Sequence, residues 1–154
     1  MNSSITFLLN ILIPHIAGII GSYFTISSIK TWYIYLNKPS FNPPNWIFSP
    51  VWLTLYTLIG FSFYLFHKKN QFKSKNIYFL YGFHIFLNCI WSILFFGTHQ
   101  VLFALIDLFL MIATLIILMK WFYRLNKNSF YLLIPYLAWI CFACILNYNI
   151  LILN

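Results

Sequence analysis

Apolar residues dominate five long windows, at 5–29, 46–66, 77–96, 101–119 and 130–153, and polar residues gather between them. Each window is close to or longer than the ~20 mostly apolar residues that an α-helix needs to cross bilayer hydrocarbon. Four of the windows contain no Lys, Arg, Asp or Glu, and the window at 101–119 contains only Asp107. Barrel strands would instead alternate with period 2 over segments of about 10 residues. These runs are apolar on all sides, and a helix satisfies its own backbone hydrogen bonds in lipid. The pattern predicts an all-α polytopic membrane protein, a five-helix transmembrane bundle forming one domain over 1–154. Its longest connector is predicted at 30–45.

Composition strengthens this reading. Only 6% of the 154 residues are charged against 62% hydrophobic, and the mean hydropathy is +0.85. A soluble domain carries about 25% charged residues, so this chain cannot cover a water-facing surface. The net charge of +8 is no nucleic-acid footprint, because the basic residues sit in short connectors. Seven of them (Lys68, Lys69, Lys73, Lys75, Lys120, Arg124 and Lys127) fall in the second and fourth connectors, and Lys30 and Lys38 in the first. The excess of Lys and Arg on the cytoplasmic side predicts a cytoplasmic amino terminus and an external carboxyl terminus. The first apolar run is too long for the h-region of a signal peptide, so no cleaved leader is expected.

The first connector and its flanks read WYIYLNKPSFNPPNWIFSPVW, with three Trp and four Pro in positions 32–52. Proline lacks an amide donor and disfavours helix in the residue before it, so KPSFNPPNW is not helical throughout. PPNW reads as a helix start, and Pro50 is expected to bend the second helix or disturb its first turn.

Helical spacing sorts the remaining aromatic and polar residues. His84, Asn88 and Trp91 share one face of the third helix; Trp139, Ala143 and Leu146 share one on the fifth; Trp52 and Tyr56 are one turn apart on the second. Asn and His inside a membrane can be hydrogen bonds between helices, and Trp and Tyr can mark the headgroup belt. Trp52, Trp91 and Trp139 lie deeper than a belt. Convergent aromatics with a few polar groups are the usual lining of a site for a flat apolar ligand. Asp107, the one acidic residue, is a functional candidate because a carboxylate in hydrocarbon is costly. It is either protonated or paired across helices. No paired carboxylates, phosphate-binding loop, nucleophile elbow or zinc cluster is present. His15, His67, His84 and His99 are dispersed, so no metal site is expected, although axial ligation of haem by one His stays open. Cys141 and Cys144 form C-x-x-C inside a span, where they are expected to be packing residues rather than redox or metal groups.

WYIYLNKPSFNPPNWIFSPVWLTLY (32–56), NCIWSILFFG (88–97) and PYLAWICFACILN (135–147) resemble the tryptophan-rich sensory protein or translocator protein family across nearly the whole chain. The resemblance implies a five-helix bundle, a homodimer, and a bacterial cell membrane as its location. It also implies a pocket among the helices for porphyrins, haem-type tetrapyrroles and drug-like ligands, closed by the first connector. No cofactor is required, with porphyrin or haem as ligand. By that resemblance Trp52 and Trp139 match the two tryptophans whose indole N–H groups face the ligand. Ala143 and Leu146 match wall residues on the fifth helix. Asn88 matches a third-helix amide, and Tyr33, Pro43, Phe48 and Tyr56 match lid and second-helix walls. Trp91 takes an aromatic wall position. His84 stands where the family often has Gln, which puts an imidazole in the ligand set. Some family members bind sterols, but the associated pattern needs Lys or Arg within five residues of a Tyr. Here Tyr148 is followed by NILILN, so sterol is not expected through it. Three functions follow as expectations: a porphyrin-binding sensor, an enzyme degrading porphyrin in light and oxygen through Trp52 and Trp139, and a tetrapyrrole transporter.

Overall fold

The structure, a computed structural model, describes residues 3–70 and 73–154. Five helices carry the chain: α1 (Ser3–Ile29), α2 (Asn45–Asn70), α3 (Lys75–Ser92), α4 (Val101–Leu125) and α5 (Lys127–Leu153). A 3₁₀ turn at Tyr33–Tyr35 lies in the first connector, and α3 continues as a π-helical turn over Ile93–Gly97. All five helices are long and apolar enough to cross a membrane, and there is no strand among the described residues.

Several helix ends differ from those predicted. α4 was predicted to end at 119 and runs to Leu125; α5 was predicted to start at 130 and starts at Lys127. Lys120, Arg124 and Lys127 therefore sit on helices rather than in a loop. Lys and Arg are good helix formers, so a helix does not stop where hydrocarbon does. A single residue, Asn126, turns the chain, and its side chain accepts a hydrogen bond from Asn128 N (3.1 Å) at the start of α5. α2 likewise extends to Asn70, with His67, Lys68 and Lys69 in its last turn, where cations complement the helix dipole. Pro50 lies inside α2 without interrupting it. Pro50 is the sixth residue of α2, one turn after Trp46, and supplies no amide to the Trp46 carbonyl.

Neighbouring helices pack in the closed order α1–α2–α5–α4–α3–α1. The end of this ring holding the α2–α3 and α4–α5 connections is solid. Phe63 stacks on Tyr81 (3.6 Å between centroids, 2° between planes) and Phe66 on Phe122 (4.4 Å). Ser62 Oγ donates to Ser129 O (2.6 Å), tying α2 to the first turn of α5. The outer surface is equally apolar, with Ile19, Ile26 and Phe79 among many exposed large side chains. That is the arrangement for a lipid solvent.

α1 meets α2 at close range. A Cβ on Gly60 would lie 2.6 Å from Asn10 O and 2.7 Å from Ile11 Cα. Pro14 lies four residues after Asn10 and cannot donate to that carbonyl, so the backbone of Gly60 covers an oxygen left without its helical partner. Small residues at such crossings are how membrane helices approach. Gly60→Ala is expected to lower the unfolding midpoint in detergent by an amount equivalent to about 1–3 kcal/mol. Gly82 has nothing within 4 Å of its Cβ position, and Gly82→Ala is expected to change stability by less than about 1 kcal/mol. Equal effects in a denaturation series would contradict this packing.

Candidate ligand-binding site

At the end opposite the solid core, the ring encloses a cavity of about 430 Å³. α1, α2, α3, α5 and the first connector build its wall. Trp52 and Tyr56, one turn apart on α2, stack at 5.3 Å and 28°. Trp91 and Phe95 do the same at the end of α3, at 5.4 Å and 18°. On α5, Trp139 places its ring 6.1 Å from Phe48, edge to face, while Ala143 and Leu146 leave room beside it. Rigid rings that brace one another in this way hold a space open that flexible side chains would fill. α1 closes in because Gly18 has no side chain: a Cβ there would lie 2.2 Å from Tyr56 Cε2. Where α1 and α2 flank the cavity, the wall includes Ile19, Ile26 and Leu53, exposed by 68%, 72% and 59%. The cavity is therefore open sideways, toward lipid.

The first connector forms the cover. Tyr33 is buried and lines the cavity, and its hydroxyl donates to Asn42 Oδ1 (2.9 Å). Burial pushes the Tyr33 hydroxyl above its ordinary pKa, and the bond to Asn42 partly offsets this. Lys38 Nζ donates to Leu36 O (3.0 Å) and lies 4.7 Å above the Tyr33 ring; burial lowers its pKa. The connector is pinned at its start and at its middle. Trp32 stacks on His99 (4.2 Å, 15°), a residue with φ of 58° in the turn before α4. Ser28 Oγ, just before that end, donates to Phe96 O. At the connector's middle, Asn37 N donates to Asn154 Oδ1 (2.9 Å) and Asn154 Nδ2 donates to Asn37 O (3.0 Å).

Of the residues predicted from the sequence, Tyr33, Phe48, Trp52, Tyr56, Trp91, Trp139, Ala143 and Leu146 share this one wall. Pro43, His84 and Asn88 are not in it. Pro43 stays in the connector, its carbonyl accepting from Asn42 Nδ2 (3.0 Å). His84 and Asn88 face the packed interior. His84 lies seven residues before Trp91, about 10 Å along the helix, and at that level the ring is filled by Tyr136. His84 Nδ1 is 2.8 Å from Thr114 Oγ1, and Nε2 is 3.0 Å from Tyr136 Oη. Asn88 Nδ2 donates to Tyr136 Oη (3.0 Å) and Asn88 Oδ1 accepts from Tyr56 Oη (3.1 Å). Sharing a face with Trp91 does not put a residue at the depth of the cavity.

Other wall residues were not anticipated. Asn147, adjacent to Leu146 on the face of Trp139, was signalled by the i+8 position of that stripe. With its amide turned to suit, it donates to Val101 O and accepts from Leu105 N, both at 3.2 Å. Phe95 follows Trp91 by one turn and was equally legible. His15 and Gly18 on α1 had no such signal, because α1 is apolar all round. Asp107 is buried at 4% exposure, and its Oδ2 has no hydrogen-bond partner among the described residues. Cys89, Cys141 and Cys144 are free thiols. No group of three His, Cys, Asp or Glu side chains could hold a metal ion among the described residues.

Comparison with known proteins agrees with this architecture. Residues 10–153 match the TspO/MBR family. The chain is 40% identical over 137 residues to the tryptophan-rich protein TspO of Archaeoglobus fulgidus, covering 89% of each chain. It is 37% identical over 141 residues to the translocator protein of Bos taurus, covering 90% of this chain and 83% of that one. It is 30% identical over 141 residues to the protein CrtK of Rhodobacter capsulatus, covering 90% and 86%. With five membrane-crossing helices and a match spanning nearly its whole length, this integral multi-pass membrane protein belongs to the TspO/MBR family.

Proposed function

We propose that this protein is a membrane receptor that holds a planar tetrapyrrole, porphyrin or haem, in the cavity beneath the first connector. The observation that carries this reading is the convergence of Trp52, Trp91 and Trp139, from three helices, on one space. Its volume of about 430 Å³ falls within the ~300–1,000 Å³ of small-molecule sites. Each ring stacked on the ligand contributes about 0.5–1.5 kcal/mol beyond the burial of its area. The prolines and the ties that hold the connector at its start and middle reduce the entropy lost on covering a ligand. The opening between α1 and α2 suits a guest that partitions into lipid first.

The filled aromatic core below the cavity favours reception over passage across the bilayer, although carriage remains the rival reading for the same site. Degradation of the bound porphyrin in light would draw on the indoles of Trp52 and Trp139, both in the wall. The excess of Lys and Arg at the end away from the first connector supports a cavity facing outward from a bacterial cell membrane, with the amino terminus cytoplasmic.

Titration of the purified protein with protoporphyrin is expected to quench tryptophan fluorescence to saturation. Ala143→Phe, which fills the cavity, is expected to weaken binding at least about tenfold, given the ~25 cal/mol per Å² of buried apolar contact it displaces. Unchanged affinity in this variant would overturn the site. Tyr33→Phe removes the bond to Asn42 and is expected to speed porphyrin release about fivefold, the effect of one neutral hydrogen bond, in a stopped-flow displacement. A release rate equal to that of the unaltered protein would show that the connector is not the cover. At saturating porphyrin under illumination in air, Trp52→Phe and Trp139→Phe are expected to slow loss of the porphyrin absorbance. Equal rates would remove the enzymatic reading.

A further inference from the structure

We propose that His84, acting through Tyr136 and Asn88, fixes Tyr56 as a hydrogen-bond acceptor toward the cavity, so that the site selects planar ligands presenting an N–H or O–H group there. The inference rests on the cavity being the ligand site. It is carried by four consecutive hydrogen bonds whose direction follows from counting protons.

Tyr56 Oη contacts Asn88 Oδ1 at 3.1 Å, and an amide oxygen only accepts, so the one Tyr56 proton is committed inward. Asn88 Nδ2 then donates to Tyr136 Oη (3.0 Å). Tyr136 has one proton of its own, and the partner left for it is His84 Nε2 (3.0 Å). His84 must therefore carry its hydrogen on Nδ1 and donate to Thr114 Oγ1 (2.8 Å). Thr114 Oγ1 in turn donates to Leu110 O (2.9 Å). Each donor finds one acceptor. The chain runs from the cavity wall on α2 through α3 and α5, back to α3 and on to α4.

Running the chain backwards would cost one of its five bonds: Thr114 would give up Leu110 O to serve His84 Nδ1, and the Tyr56 proton at the far end would have no partner within the chain. His84 and Tyr136 are 1% and 0% exposed, so water does not stand in for a partner of either of them. The neutral imidazole, an acceptor at Nε2, thus sets the polarity of the whole chain. Tyr56 lines the cavity, and with its proton held by Asn88 its hydroxyl has only lone pairs left for a guest. A ligand N–H or O–H gains a bond there, and a carbonyl meets like charge. His84 touches no ligand; it is a positioning residue.

The test compares carbazole, with N–H at the apex of its central ring, and 9-fluorenone, with C=O at the same apex. Both are measured by displacement of bound protoporphyrin. The unaltered protein is expected to bind carbazole about fivefold more tightly, the effect of one neutral hydrogen bond. His84→Gln keeps an acceptor for Tyr136 and a donor for Thr114, and is expected to keep that preference. His84→Leu removes the acceptor. Tyr136 then donates to Asn88 after its amide turns over, and the Tyr56 proton is released into the cavity, so the preference is expected to reverse toward fluorenone. Tyr56→Phe, which keeps the ring and loses the hydroxyl, is expected to bind both equally. A merely structural role for His84 would weaken both probes together and leave their ratio unchanged. An unchanged ratio in His84→Leu, or failure of either fragment to discriminate in the unaltered protein while porphyrin binds, overturns this inference alone. Failure of porphyrin itself to bind overturns both it and the proposed function.

Discussion

Polar groups in a bilayer have no water to fall back on, so each must find its partner inside the bundle. An apolar side chain gains little by exchanging lipid for a neighbouring helix. What fixes these five helices relative to one another is therefore a small set of internal hydrogen bonds and close backbone approaches. Ser62 ties α2 to α5 through Ser129 O. Asn147 ties α5 to the first turn of α4. The chain from Tyr56 to Thr114 joins α2, α3, α5 and α4. Gly60 and Gly18 let α1 lie directly against α2. Removal of any of these leaves an unpaired polar atom or a wedge in hydrocarbon.

The same ties explain why the ring is filled at one end and hollow at the other. Phe63, Phe66, Tyr81 and Phe122 stack tightly where the helices are bound by Ser62 and the short turn at Asn126. Tyr136, held by His84 and Asn88, fills the ring below the cavity. Above it, aromatic rings brace one another, stacked in Trp52–Tyr56 and Trp91–Phe95 and edge to face in Phe48–Trp139, and cannot collapse as aliphatic chains would. The connector spans the gap, anchored by Tyr33 to Asn42 within itself and by Asn37 to Asn154 at the end of α5. Packing and the proposed site draw on the same residues: the network that satisfies the buried polar atoms also holds Tyr56, which lines the cavity.

The number and type of helices were legible because nothing but a lipid-spanning helix suits apolar runs of this length. Their ends were not, since α4 continues past hydrocarbon on Lys120 and Arg124, which favour helix as readily as they favour water. The faces of α2 and α5 could be read because Trp52 with Tyr56, and Trp139 with Ala143 and Leu146, stand out against plain aliphatic neighbours. α1 could not, because His15 and Gly18 lie in a helix with no contrasting face. His84 and Asn88 were assigned to the right helix face but to the wrong depth. Periodicity gives direction around an axis, and only the packing of Tyr136 reveals where along it the ring closes.

The central claim is that rings from separate helices enclose a planar guest beneath the first connector. The most direct measurement is an experimental structure in lipid nanodiscs with protoporphyrin bound. The account predicts the macrocycle between Trp52 and Trp139, under Tyr33, with the bond from Tyr56 to Asn88 intact. A macrocycle lying on the lipid-facing surface, with the cavity empty or filled by its own side chains, would contradict it.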